Sequence, residues 1–325
     1  MAARVGASSD RSTDVDRRTD VWPRTVLVAN QKGGVGKSSI VAGLAGLIAR
    51  PAGRVLVVDA DQQGNVSRNN LGVDGDRGRS LAMALQYAEP LQPVREVRLG
   101  LDVVPGGPLL AGMPAVLAAA PQTGIDPAAN LLTTLGQLCE SEGYVLALVD
   151  SGPGDSQLLD VLLASARYLL VPSTDDEASL DGVELLAARY LRARAAGAPV
   201  ELLGAVLFNV NVRAYARNAL ALASLSQLLA GSGAEPFPRP VRTDRAAALD
   251  ARRLHLTPAE LVEQARAHNA RRIEGLAAGT RPPTGEPFWS RDGAGLANDY
   301  QQLAREVLAR ISRSEDRHGR CEVAS

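Results

Sequence analysis

The sequence predicts an α/β protein, a doubly wound and mostly parallel sheet with helices on both faces. Three observations predict it. Continuous apolar runs of strand length recur along the chain, segments of helical length separate them, and a glycine-rich turn joins the first strand to the first helix. Strands that stay apolar without alternation belong in a sheet covered on both sides. The length of 325 residues alone would suggest about two domains. Sheets of this type often run past about 200 residues as one unit, so a single domain is expected.

The elements follow in order. Residues 1–24 are rich in Ser, Asp, Arg and Thr without periodicity and read as a disordered tail. The domain is expected over 25–312. Thr25–Asn30 is a short apolar strand, and Ser38–Ala49 has helical length and stops at Pro51. Arg54–Asp59, Tyr144–Asp150, Tyr168–Pro172 and Leu202–Asn209 repeat the strand theme. Residues 276–295, rich in Gly and Pro, read as a loop. A C-terminal helix is expected over 296–312, carried by the amphipathic run Asn298–Ile311, with a frayed tail over 313–325.

Composition excludes several classes. The apolar runs break within about ten residues, too short to span a bilayer. The N-terminus has no apolar core of a secretory signal. Cys139 and Cys321 cannot build a disulfide framework or a Cys-rich metal site. A cytoplasmic location is the expectation. Charge is segregated: residues 101–188 carry one Arg against twelve carboxylates, whereas 189–253 carry ten Arg against four. A basic face for a polyanion follows, with a solvated surface as the alternative.

Of 35 basic residues, only Lys32 and Lys37 are lysines, and both lie in the turn Asn30-Gln31-Lys32-Gly33-Gly34-Val35-Gly36-Lys37-Ser38-Ser39. A glycine-rich turn between strand and helix lets backbone N–H groups converge on phosphate oxygens, and the helix N-terminus adds its positive end. The segment Lys32, Gly33, Gly34, Val35, Gly36, Lys37, Ser38 and Ser39 is therefore the candidate ATP-binding loop. Lys37 would reach the terminal phosphates and Ser38 would ligate Mg²⁺. Asp59, Asp61 and Asp150 each end an apolar strand, at the edge where open α/β sheets bind ligands. A single such Asp could equally be a helix cap or turn former. Asn209 ends another strand and could meet the adenine edge or form a turn. The loop 242–245, with Arg242, would cover the base.

This loop resembles the deviant phosphate loop KGGxGK[ST] of the ParA/MinD group of P-loop ATPases, most like the Soj-like partition ATPases. Asp59-Ala60-Asp61-Gln62-Gln63-Gly64-Asn65 resembles that group's D-x-D-P-Q-G-N, with Gln62 for Pro. Val103-Val104-Pro105, with Leu110-Ala111-Gly112 beyond it, resembles its IP…LAG stretch, and Asp150-Ser151-Gly152-Pro153 its D-[ST]-P-P, with Gly152 for the first Pro. Val171-Pro172 through Gly182 resembles the following switch, and Val241–Arg245 the loop ending the sheet. The likeness covers about residues 25–270.

The resemblance implies an ATP-hydrolysing enzyme that uses Mg²⁺ and forms a homodimer on ATP. Lys32 would then act across the dimer on the partner's nucleotide, and Asp61 would orient the attacking water. Asp61 and Asp150, with Ser38, would serve the metal, and Asp59 would support the loop. Arg213 and Arg245 match positions where relatives carry DNA-contacting arginines, so double-stranded DNA bound without sequence preference is the expected polyanion. A ParB-like partner or a cargo adaptor would stimulate hydrolysis at the nucleoid.

Alternatives within the group are a protein-cargo positioner or division regulator, and a metabolic ATP-dependent ligase. The polar C-terminal run Arg313–Arg320 is unlike the membrane helix of MinD-type proteins. No cluster-ligating Cys set suits a nitrogenase-reductase relative. The N-terminal segment is too short for a helix-turn-helix module. The three His are scattered and are expected to be structural.

Overall fold

The computed structural model describes residues 24–154, 156–279, 288 and 293–323. The expected tail 1–24 lies outside these except for Arg24, and most of the expected loop 276–295 does too. Among the described residues eight strands form one sheet: β1 (Thr25–Val28), β2 (Arg54–Ala60), β3 (Val94–Arg98), β4 (Leu101–Val104), β5 (Tyr144–Ser151), β6 (Tyr168–Ser173), β7 (Glu201–Val210) and β8 (Val241–Arg242). Their order is β3-β4-β2-β5-β1-β6-β7-β8. Every neighbouring pair is parallel except β3–β4, an antiparallel hairpin at one edge. The sequence hid that edge because β3, Val-Arg-Glu-Val-Arg, is charged and partly exposed.

Among the described residues ten α-helices cover the two faces. On one lie α2 (Arg79–Tyr87), α3 (Met113–Thr123), α4 (Pro127–Glu142), α5 (Ser156–Ser165), α6 (Glu177–Ala195) and α7 (Tyr215–Leu228). On the other lie α1 (Lys37–Ile48), α8 (Arg245–Arg253), α9 (Pro258–Ala277) and α10 (Ala294–Val323). Each face has its own apolar core. One gathers Leu27, Leu56, Leu135, Leu163 and Leu207, and the other Val26, Ile40, Leu44, Val57 and Leu170. Successive residues of a strand point to opposite faces, so an unbroken apolar run feeds both cores at once.

Two chain-end expectations are corrected. The C-terminal helix does not stop at 312. α10 runs 30 residues, to Val323, through the stretch expected to fray. The reason is polar anchoring: Ser314, 1% exposed, donates to Glu201 at the start of β7 (2.6 Å), and Glu315 pairs with Arg24 (2.9 Å). Helix α9 also continues to Ala277, past the start of the expected loop. It opens on Pro258 and on a reciprocal cap between Thr257 and Glu260.

Parallel order brings the carboxyl ends of β1, β2 and β5 together. Val28 lies beside Asp150 in the β1–β5 register, and Asp59 beside Asp150 in the β2–β5 register. The glycine-rich turn leaves β1 at this same edge.

Candidate nucleotide site

The turn from β1 to α1 is held at both ends. The Asn30 side chain donates to the Pro172 carbonyl (2.8 Å) and accepts from the Lys32 N–H (2.9 Å), tying the turn to β6. Gly34 and Gly36 have φ of +78° and +94°, which only glycine adopts at low cost. Gly36 is the N-cap of α1 with no side-chain cap, and no acidic residue stands in the first helical turn. The positive end of the helix thus faces the turn uncompensated. Ser38 and Ser39 sit half-buried in that first turn.

Lys37 is buried, and its Nζ donates to the Lys32 carbonyl (3.0 Å). Burial lowers its pKa, against the pull of Asp150 and Asp61. Asp150 is wholly buried, and apart from the nearby Ser38 hydroxyl neither carboxylate oxygen has a donor among the described residues. Burial drives its pKa well above the usual carboxylate range, Asp59 adds to the rise, and Ser38 and Lys37 oppose it. A buried carboxylate short of donors is costly unless a cation completes it. The donor set of Asp150 and Ser38 beside a phosphate loop therefore fits Mg²⁺ shared with a nucleotide. Among the described residues no group of three or more His, Cys, Asp or Glu could hold a metal alone.

Asp59 is occupied differently. It accepts from the Ser67 hydroxyl (2.6 Å), the Ser67 N–H (2.9 Å) and the Asp61 N–H (3.1 Å). Burial raises its pKa to about 6 against these donors. It organises the turn after β2. Asp61, 1% exposed, accepts from the Gln63 N–H (2.9 Å) and the Asn65 amide (2.7 Å). Sequence reasoning missed what seats it. The Gly107 N–H donates to the Asp61 carbonyl (3.0 Å), and a Cβ on Gly106 would lie 2.6 Å from that oxygen. The paired glycines after β4 were the available signal. A Cβ on Gly152, where the resembled family has Pro, would stand 3.2 Å from Asp61 Oδ1.

Lys32 lies beside the site but does not point at it. Its Nζ pairs with Asp176, the N-cap of α6, which also accepts from Thr174 and from the Ser179 N–H (3.0 Å). The lysine, with Thr174, holds the Asp176 carboxyl below the usual range. The fit is close: a Cβ on Gly182 would lie 2.5 Å from Asn30 Oδ1 and 3.3 Å from Lys32 Cβ.

The remaining candidates are scattered. Asn209 is exposed, has φ of +58° and sits at a bulge between Phe208 and Val210. Arg242 is engaged elsewhere, clamped through two nitrogens on Asp299 of α10 (2.6 and 2.8 Å). Arg213 and Arg245 are exposed, and among the described residues neither makes an ion pair. Arg189, Arg217 and Arg253 of the same basic stretch pair with Asp160, Asp175 and Asp250. No helix among the described residues is long and apolar enough to cross a membrane.

Comparison with known proteins agrees with this geometry. A family model described as an AAA domain matches residues 23–195. The chain is 36% identical over 224 residues to the chromosome-partitioning ATPase Soj of Thermus thermophilus, covering 67% of this chain and 82% of Soj. Apo McdA of Cyanothece superposes with a TM-score of 0.63 at 18% identity, over 88% of this chain and 99% of McdA. The pNOB8 ParA bound to nonspecific DNA superposes with a TM-score of 0.57 at 19% identity, over 89% and 99%. With its phosphate loop at the end of β1, its carboxylates on β2 and β5 and more than a third of its aligned residues shared with Soj, the chain belongs to the ParA/Soj/MinD family of P-loop ATPases and hydrolyses ATP.

Proposed function

We propose that this ATPase drives DNA partition: it dimerises on ATP, binds duplex DNA without sequence preference in that state, and lets go after hydrolysis. The observation that carries the nucleotide half is that buried Lys37 and the buried Asp150 carboxylate stand close enough under the glycine loop for each to shift the other's titration. The partition half rests on the kinship with Soj. In this reading Gly33, Gly34, Val35, Gly36 and Ser39 cradle phosphate through backbone and hydroxyl, and Lys37 neutralises the terminal phosphates. Ser38 and Asp150 hold Mg²⁺, and Asp61 orients the attacking water or the metal's water shell. Bound Mg²⁺ supplies charge neutralisation on the phosphates. Lys32 leaves Asp176 and serves the nucleotide of a second copy. Asn209 lines the adenine end, with Arg242 of β8 near it, held by Asp299 of α10.

Arg213 and Arg245 are the proposed DNA contacts, because both are exposed and both match positions where the resembled family carries DNA-contacting arginines. Each monomer brings one patch, so ATP-driven pairing raises affinity through two-point attachment. A ParB-like protein or a cargo adaptor is the partner that stimulates hydrolysis, at the nucleoid.

Gel retardation of random-sequence duplex tests the reading. The ATP-bound protein retards it and the ADP-bound protein does so much less. Arg213→Ala with Arg245→Ala weakens binding on all sequences alike and lowers the salt slope by about one to two units per monomer. Equal retardation by wild type and double variant across a salt series places the DNA surface elsewhere.

A further inference from the structure

The phosphate loop has a steric neighbour that none of its motifs contains. The position a Cβ on Gly36 would take is filled by the ring of Phe208, through Cδ1, Cε1 and Cζ. Gly36 is the left-handed N-cap of α1, and its carbonyl accepts the first helical bond, from Ile40 (2.8 Å). The ring therefore bears on the residue that turns the loop into the helix.

The backbone of β7 is built to bring it there. Side chains of a strand alternate between faces, so residues 208 and 210 should share one. They do not. Phe208 packs with the core around Ile40, Val41 and Val241, while Val210 is buried in the opposite core with Leu207. The phase change is made by Asn209, exposed at φ +58° in a bulge that sets Phe208 against Val241 and Val210 against Arg242. A bulge of this kind re-aims side chains next to functional sites.

We infer that Phe208 is a positioning residue for nucleotide binding, a wedge between β7 and the phosphate loop that locks Gly36 in its left-handed conformation. The inference rests on reading Lys32–Ser39 as the loop that holds the nucleotide phosphates. Locking matters because the loop works through the directions of its N–H groups, and a loop already ordered binds without losing that freedom on contact. Phe208 bears on Gly36 at the start of α1, so it acts on affinity and not on the attack on phosphorus. It acts equally on ATP and ADP, since both place phosphate in the same loop.

The test is titration of the full chain with fluorescent ATP and ADP analogues in Mg²⁺, with turnover measured at saturating ATP. Phe208→Ala is expected to weaken both nucleotides roughly tenfold, the order of one backbone residue's ordering, with saturating turnover within about twofold of wild type. Tyr300→Leu is the control. Its ring fills the Cβ position of Gly43, in the middle of the same helix. It should lower the melting temperature and leave nucleotide affinity unchanged. Gly36→Ala, made in both backgrounds, is the sharper readout. In the wild type it meets both the ring and the positive φ. In Phe208→Ala only the φ remains, so its penalty shrinks at least several-fold. If Phe208→Ala does not fold, Phe208→Leu decides, with a weakening of about threefold.

Affinity unchanged by the Phe208 variants, or penalties at 36 and 208 that simply multiply, would overturn the lock. Wild-type protein that binds neither nucleotide would instead bring down the phosphate-loop reading on which the lock stands.

Discussion

Lys32 and Asp176 form an ion pair within one chain, joining the phosphate loop to the first residue of the α6 cap. A lysine proposed to act on a second copy's nucleotide must first leave this partner. Asp176→Asn keeps the cap on the Ser179 N–H, since Asn caps helices as well as Asp, and removes the charge that holds Lys32. The variant should dimerise at lower ATP concentration than wild type, read by analytical ultracentrifugation across an ATP series. An unchanged or weakened dimer would mean that the pair supports the assembly instead of restraining it.

The two lysines should separate cleanly in the same assay. Lys37→Ala loses ATP binding, because the charge that neutralises the terminal phosphates and offsets the buried Asp150 carboxylate goes. Lys32→Ala keeps ATP binding close to wild type and fails in dimer formation or turnover. Equal loss of nucleotide affinity in both variants would remove the role across the dimer from Lys32.

Asp61 should govern hydrolysis and not binding. Asp61→Ala leaves Lys37, Ser38 and Asp150 in place and is expected to accumulate an ATP-bound dimer on size-exclusion chromatography. Because Asp61 also accepts from Gln63 and Asn65, Asp61→Asn is the companion that keeps an acceptor for the turn. Both should lose turnover by about a hundredfold or more, the scale of a lost positioning group in phosphoryl transfer. A variant that stays monomeric with ATP sinks the assignment.

Most of the fold was legible because parallel strands buried on both faces are written as unbroken apolar runs. Val55–Val58 and Leu146–Val149 carry no polar interruption, and both are buried strand centres. The phosphate loop was legible because its glycines and lysines are dictated by backbone geometry and charge. What stayed hidden depends on contacts between distant residues. Nothing near Lys32 announces Asp176, 144 positions away. Nothing around Phe208 announces Gly36, and the polar run after Ile311 reads as solvent-facing until Glu201 and Arg24 are seen beside it.

That last contact makes the C-terminal stretch testable. Glu201 accepts from the Ser314 hydroxyl (2.6 Å), and its other oxygen lies 2.7 Å from an Arg167 nitrogen and 3.0 Å from a His318 ring nitrogen, joining the end of α10 to the start of β7. Ser314→Ala leaves a half-buried carboxylate short of one donor and should cost about 1–3 kcal/mol in urea unfolding. A chain ended at residue 312 should lose at least as much. A truncated chain as stable as the full one would return 313–325 to the role of a dispensable tail.

At the opposite edge of the sheet from the nucleotide loop, Asp102 of β4 is fully buried among donors. Tyr144 donates to it, as do Arg54 (2.5 Å), Arg95 (3.3 Å) and the Glu96 N–H (2.8 Å). Burial alone would raise its pKa. Tyr144, the Glu96 N–H and the two guanidiniums together hold it below the ordinary carboxylate range. A depressed folded-state pKa contributes stability that is present above the unfolded value, about 4, and is lost as pH falls through the folded one. Asp102→Asn removes the charge and leaves Arg54 and Arg95 sharing only Glu142. The expected loss at pH 7 is about 3 kcal/mol, the scale for breaking a buried charge pair. Urea unfolding of both proteins from pH 7 to pH 3 should show the gap holding down to about pH 4 and closing below it, as the wild-type carboxyl takes up its proton. A gap that is the same at pH 3 as at pH 7 would show that Asp102 stabilises the sheet edge by shape and neutral hydrogen bonds, not by its charge.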